Sequence, residues 1–357
     1  MAVRKIHFNL KYLGIRAVVL IILSLVLAIP MVKLTLPWSM DTSYHLYGTL
    51  TRLFHVHSPN IYTLDENGVP LDDVGYQQGE YIGAQRNPLT VASLAVSYYD
   101  EFKKKGNIQD EDYFFNCVHW LESARIDKGN YSLWSYDFPN PSFDVTAPWY
   151  SAMAQARIMV TFERAYELTK DDHYLNIAYL AMGALQVPIQ DGGVLYIDPV
   201  DGGKWYEEVA GGGRESPPLI LNGFIFSLLD LDDFYIRIGS PDAKSLFQDG
   251  ITELKRHLKD YDTGRWTNYD RIGHLAYDYH YVHIDQMQKL YAITGDTIFK
   301  DYHDKWASYF PINPLWARQR FAAYLLDFAI IFVALVVILF SFNIYKARVR
   351  KKKMPQG

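Results

Sequence analysis

Leu168-Thr169-Lys170-Asp171-Asp172-His173-Tyr174 reads as the close of one apolar helix, a short polar turn and the aromatic start of another. The same reading fits Ile238-Gly239-Ser240-Pro241-Asp242 and Ile293-Thr294-Gly295-Asp296-Thr297-Ile298-Phe299. Asn107-Ile108-Gln109-Asp110 leads into Tyr113-Phe114 in the same way. Short links between amphipathic helices make antiparallel helical hairpins. Four hairpins predict eight helices, near 88–105, 110–126, 148–169, 171–186, 217–238, 241–259, 281–294 and 296–309. Asn87-Pro88, Ser216-Pro217 and Ser240-Pro241 each set a capping side chain before a first-turn proline. Pro148 follows Ala147 in a similar place, without a good cap. A repeat of roughly sixty residues is too long for a thin solenoid. The expected fold is mainly α, an (α/α) toroid of about four hairpins over 87–312. Its long aromatic-rich loops, 127–147, 187–216 and 260–280, would gather at one mouth, where binding chemistry usually lives. Residues 37–86 are rich in turn formers and read as a lead-in with short strands.

Two apolar runs bracket this region. Residues 17–36, AVVLIILSLVLAIPMVKLTL, suffice to cross ~30 Å of hydrocarbon, with Lys33 placed to snorkel. Residues 321–342, FAAYLLDFAIIFVALVVILFSF, form a second run. Arg4, Lys5, Lys11 and Arg16 precede the first run (residues 1–16), and Lys346, Arg348, Arg350, Lys351, Lys352 and Lys353 lie in the tail, 343–357. The positive-inside rule then predicts two transmembrane helices, both termini cytoplasmic, and residues 37–320 outside the cell membrane. The first run carries no small-x-small cleavage site, so it reads as an anchor rather than a signal peptide. Asp327 inside the second run is costly against lipid, so it is expected near an interface or paired with another helix.

Of the 357 residues, 49% are hydrophobic and 21% charged, which excludes a disordered chain. The net charge is −5, from 40 acids and 35 bases, which argues against a nucleic-acid binder. A single cysteine, Cys117, excludes an intramolecular disulfide and a cysteine-rich zinc site. The 28 tyrosines and 8 tryptophans fit a protein that stacks rings on sugars.

Four segments carry candidate chemistry. Lys204-Trp205-Tyr206-Glu207-Glu208-Val209 sets two acids beside two rings. In Trp266-Thr267-Asn268-Tyr269-Asp270-Arg271 a guanidinium is placed to fork onto a carboxylate. Tyr277-Asp278-Tyr279-His280-Tyr281-Val282-His283-Ile284-Asp285 holds histidines and acids, but not at a standard zinc spacing, so no metal is expected. Pro148-Trp149-Tyr150-Ser151-Ala152-Met153-Ala154-Gln155-Ala156-Arg157 offers small residues for close helix packing and no nucleophile elbow around Ser151.

Together these segments resemble the C-terminal domain of the D-glucuronyl C5-epimerases that act on heparosan and heparan sulfate. The resembling strings are PWYSAMAQ (148–155), YELTKD (166–171), KWYEE (204–208), LNGFIFSLLDLDD (221–233), YDTG (261–264), NYD (268–270) and DYHYVHIDQM (278–287). YQQGEYIGAQRNPLTVASLAVSYY (76–99) resembles the family's first helix and its lead-in. The resemblance implies an (α/α) toroid, epimerisation of D-glucuronate to L-iduronate within a polysaccharide, no cofactor, and a homodimer. It implies catalytic roles for Glu208, Tyr269 and Tyr279. Substrate contacts are expected from Arg271, Tyr206, Trp205, His280, Trp149, Tyr150 and Gln155. Where the family places a tyrosine and a proline after the two glutamates, this chain has Val209 and Ala210.

C5-epimerisation removes the hydrogen beside the uronate carboxylate and returns a proton from the opposite face, which needs one group on each side of the ring. Tyr279 and Tyr269 are the expected pair, Glu208 the assisting donor or orienter, and Arg271 the cation that meets charge developing on the carboxylate. The same intermediate, if it expelled the C4 substituent, would make a lyase. Val209 without a hydroxyl would suit a non-catalytic glycan-binding module.

Overall fold

The computed structural model describes residues 16–32, 34, 62–77, 80–214, 216–277, 279–309 and 321–352. Arg4, Lys5, Lys11, Lys33, Asp278, Lys353 and much of the lead-in lie outside these residues. Among the described residues the helices are α1 (Arg16–Val32), α2 (Pro88–Lys105), α3 (Ile108–Ser123), α4 (Ala152–Thr169), α5 (Asp172–Gly183), α6 (Leu221–Ile238), α7 (Pro241–His257), α8 (His280–Thr294), α9 (Thr297–Ala307) and α10 (Phe321–Lys352). The chain divides into two compact units, residues 59–309 and a second made of 1–58 with 310–357.

In the larger unit eight helices form four hairpins, each joined through two residues. The hinges are Gly106-Asn107, Lys170-Asp171, Gly239-Ser240 and Gly295-Asp296. The first residue of each is a left-handed C-cap, with φ of 68°, 59°, 75° and 68°. The second is an extended N-cap whose side chain accepts a hydrogen bond from the next helix's first turn. This pair of opposite backbone states reverses the chain within two residues. Helices α2, α4, α6 and α8 pack in sequence beside one another, and each also packs on the helix that follows it. Helix α4 is buried along nearly its whole length, and Arg157 on it meets Asp230 of α6 at 3.0 Å.

Two helices start later than the sequence suggests. The run expected from residue 148 begins at Ala152, because Trp149–Tyr150 is used as the middle strand of a small antiparallel sheet. That sheet pairs Ser135–Tyr136 with Trp149–Tyr150, and Trp149–Tyr150 with Ala210–Gly211. Ser151 then caps α4, accepting from the Ala154 amide at 3.3 Å. The run expected from 217 begins at Leu221, and Ser216 does not cap it. Leu219 sits in left-handed geometry, φ 56°, with its amide turned to a carboxylate, so helix cannot form before it.

In the smaller unit, Leu325–Lys346 of α10, mean hydropathy 2.9, is long and apolar enough to cross a membrane. Helix α1 is apolar but shorter than such a span. One apolar helix of spanning length is therefore described, where the sequence predicts two. Ser24, Ala28 and Val32, four residues apart, form a buried stripe on α1, and Asp327 on α10 is buried as well.

Candidate active site

The strand Lys204–Tyr206 pairs with Leu195–Ile197 and delivers two glutamates that face different partners. Glu207 is fully buried and accepts amide hydrogens from Val209 at 3.0 Å and Leu219 at 2.9 Å. Its carbonyl accepts the Ala152 amide at 2.8 Å. Burial pushes its carboxyl up to about 8, and the two amides only partly oppose that. Glu207 thus ties the strand end to the left-handed Leu219, whose carbonyl also takes the Tyr261 hydroxyl at 2.7 Å.

Glu208 points the other way. Its Oε1 lies 3.5 Å from the Tyr269 hydroxyl, at the outer limit of a hydrogen bond. Its buried Oε2 closes no full hydrogen bond and faces the first turn of α6 at Gly223, whose amide still favours the charged carboxylate. A Cβ on Gly223 would fall 1.9 Å from that oxygen, so only glycine lets the carboxylate approach there. Burial raises the Glu208 carboxyl to about 7, against the opposing pull of the Tyr269 hydroxyl and the Gly223 amide. An acid tuned to that range suits proton transfer near neutrality.

Tyr269 and Tyr279 stand with ring centres 5.0 Å apart and planes at 42°. The Tyr269 carbonyl accepts the Leu221 amide at 3.0 Å, which ties the ring to the start of α6. Its own amide donates to the His274 carbonyl at 2.6 Å. Burial holds its hydroxyl well above the ordinary phenol range, and the Glu208 charge adds to that. Tyr279 caps α8, its carbonyl accepting the His283 amide at 2.8 Å, and its side chain is more open. The three residues expected to be catalytic therefore come together, with Glu208 lying 61 residues before Tyr269 in sequence.

The expected substrate contacts fare differently. The Arg271 guanidinium lies 3.7 Å from Asp198 and 3.6 Å from Asp260 and is not brought onto the tyrosine pair. Those separations exceed hydrogen-bond length, so both are loose ion pairs. Trp205, Tyr206, Gln155 and His280 are buried behind the site rather than lining its surface. Trp205 stacks on Phe224 at 3.8 Å. The Tyr206 hydroxyl donates to the Leu246 carbonyl at 2.7 Å. Gln155 clamps the Trp134 backbone, accepting its amide at 3.0 Å and donating to its carbonyl at 3.1 Å. Trp149 stacks on Tyr136 at 3.9 Å and donates to the Phe138 carbonyl, while Tyr150 is half-buried in the small sheet. Val209 is buried in an apolar cluster with Phe143, Trp149 and Ile220, against which Tyr269 packs.

Sequence reading missed Glu207's anchoring role, Gly223 and Asp270. Asp270 is fully buried and accepts the His274 Nδ1 at 2.6 Å. A glycine early in a helix, as in Leu221-Asn222-Gly223-Phe224, is the one signal that marked a close approach. Asp198, Asp201, Glu253 and His257 bring ligand atoms within 4.8 Å of one another. Arg256 already meets Asp201 and Glu253 at 2.8 Å each, so a guanidinium supplies positive charge there. His280 and His283, weighed above as metal ligands, both turn their Nδ1 to the Thr267 hydroxyl.

Residues 128–308 match the family described as D-glucuronyl C5-epimerase C-terminus. An uncharacterised protein of Methanocaldococcus jannaschii is 33% identical over 285 residues, 75% of this chain and 91% of that protein. A D-glucuronyl C5-epimerase of Caenorhabditis elegans is 28% identical over 223 residues, 56% of this chain and 35% of that protein. In three dimensions the chain resembles a sugar epimerase from a ruminal bacterium, with a TM-score of 0.50 and 11% identity over 80% of this chain and 74% of that one. That likeness is one of fold, to the (α/α) toroid type.

Proposed function

The chain belongs to the D-glucuronyl C5-epimerase C-terminal family, and from that premise we propose that it is a carbohydrate epimerase converting D-glucuronate to L-iduronate residues within a polysaccharide. The observation that carries the reading is the meeting of Tyr269, Tyr279 and Glu208, with Glu208 tuned to about 7. In this reading Tyr279, as phenolate, takes the C5 proton and the C5–H electron pair moves into the carboxyl group as an enediolate. Tyr269, kept a phenol by burial, returns its proton to C5 from the opposite face. Protonated Glu208 then reprotonates the Tyr269 oxygen, and solvent resets Glu208 and Tyr279. Arg271 meets the enediolate by leaving its long contacts with Asp198 and Asp260. Both apolar helices hold the enzyme in the cell membrane, with both basic ends cytoplasmic and residues 37–320 outside.

The test is solvent deuterium incorporation at C5 of a glucuronate polymer by the full chain. Incorporation with iduronate appearing is expected, with loss of ~100-fold or more in both Tyr279→Phe and Tyr269→Phe. Unchanged exchange in both variants would end the two-tyrosine reading. An ultraviolet-absorbing unsaturated product would mean elimination at C4 instead.

A further inference from the structure

The Thr267 hydroxyl sits between two buried imidazoles, 2.9 Å from His280 Nδ1 and 3.0 Å from His283 Nδ1. All three residues are fully buried. Burial holds His280 down at about 3 and His283 well below its usual range, so both rings are neutral at physiological pH. A neutral imidazole carries one N–H and one bare nitrogen. A hydroxyl has one hydrogen, so it satisfies both rings by donating to one Nδ1 and accepting from the other. The rings must then hold opposite tautomers. The backbone carbonyl of Trp306 favours a proton on the His280 ring, and with Nδ1 turned to Thr267 that hydrogen belongs at Nε2. Its Nδ1 accepts from Thr267, and His283 donates its Nδ1–H to the Thr267 oxygen. A directed chain results: His283 to Thr267 to His280.

This chain joins the two segments that carry the tyrosines. Thr267 precedes Tyr269 by two residues, and His280 directly follows Tyr279. His280 also stacks on Trp266 at 3.7 Å, and its amide donates to the Ala276 carbonyl at 3.1 Å. We infer that Thr267, His280 and His283 are positioning residues: a tautomer-locked hydrogen-bond chain that sets the separation of Tyr269 from Tyr279. The inference rests on the two-tyrosine reading above for its catalytic consequence, and on the buried geometry alone for its structural one.

The experiment uses the full chain in detergent, with isotope-labelled histidine and tyrosine. Wild-type nitrogen shifts should show His280 as the Nε2–H tautomer and His283 as the Nδ1–H tautomer, with neither ring protonated near neutral pH. A nuclear Overhauser contact between the Tyr269 and Tyr279 rings should weaken in Thr267→Val and persist in Thr267→Ser. Deuterium exchange at C5 should fall ~10- to 100-fold in kcat for Thr267→Val with KM little changed, and Thr267→Ser should recover most of it. Two identical tautomers, an unaltered ring contact in Thr267→Val, or KM rising while kcat holds would each overturn the inference. If wild type exchanges no C5 hydrogen, the functional reading fails, while the imidazole shifts and the ring contact still decide the positioning claim.

Discussion

Adjacent glutamates, identical in chemistry, take unlike roles because alternate side chains leave a strand end on opposite sides. Glu207 accepts two backbone amides; Glu208 meets a phenol and a helix start. In Glu207→Gln, one carboxyl oxygen becomes an N–H donor facing a backbone N–H, so stability should fall by about 1–3 kcal/mol, read as a lower Tm. Glu208→Gln leaves no such clash between paired donors, and its effect should fall on C5 exchange, which it should lower ~100-fold or more. In wild type, exchange should decline as pH rises through about 7, because the acid form of Glu208 is the one that donates. That inflection should vanish in Glu208→Gln. Stability carries the same sign. A carboxyl whose folded value is raised stabilises fully below its unfolded value, near 4.5, and that contribution is lost as pH rises through the folded one, about 7. Denaturant midpoints should therefore fall more steeply with pH in wild type than in Glu208→Gln between about pH 5 and about pH 8.

The element that repeats is the two-residue hinge, and its backbone states make it testable. Three of the four hinges begin with glycine, for which left-handed geometry carries no Cβ penalty. Lys170 adopts the same geometry with a side chain, φ 59°. Lys170→Gly should therefore raise stability, and Gly295→Ala should lower it, each by about 1 kcal/mol in denaturant titration. A loss of stability in Lys170→Gly would mean that its side chain, which lies over the Tyr166 ring at 5.4 Å, matters more than the backbone strain. The hinge motif was legible because it is local, a C-cap followed at once by an N-cap. The starts of α4 and α6 were not, because proline and serine signals at Pro148 and Ser216-Pro217 were overridden. A strand pairing took residues 149–150, and the Glu207 carboxylate, 12 residues before Leu219, could not be seen as its partner from Leu219 itself.

For the molecule as a whole, the two units serve the proposed function differently. Residues 59–309 hold the tyrosine pair, and the other unit holds both apolar helices. Removing residues 321–357 alone should leave the chain in the membrane fraction through α1, and removing residues 1–36 alone should leave it there through α10. Removing both should release it, as read by fractionation after carbonate washing. Release on loss of 321–357 alone would mean that α1, the shorter helix, does not span. Terminal reporter fusions should both report the cytoplasmic side.

Local chemistry in the sequence determined much of this protein: four hairpins, their caps and the apolar runs; the resemblance of its motifs pointed to Glu208, Tyr269 and Tyr279 as candidates. Periodicity and capping act over a few residues, and strings such as KWYEE and NYD carry a family resemblance that can be read without coordinates. Tertiary structure alone decided which of the aromatic and polar residues face the site. Trp205, Tyr206, Gln155 and His280 have the chemistry of sugar contacts, yet they are buried, with Tyr206, Gln155 and His280 hydrogen-bonded to the backbone or to Thr267. Burial and partner choice depend on which distant segments pack together, and a polar atom taken from water must find its partner wherever the fold supplies one.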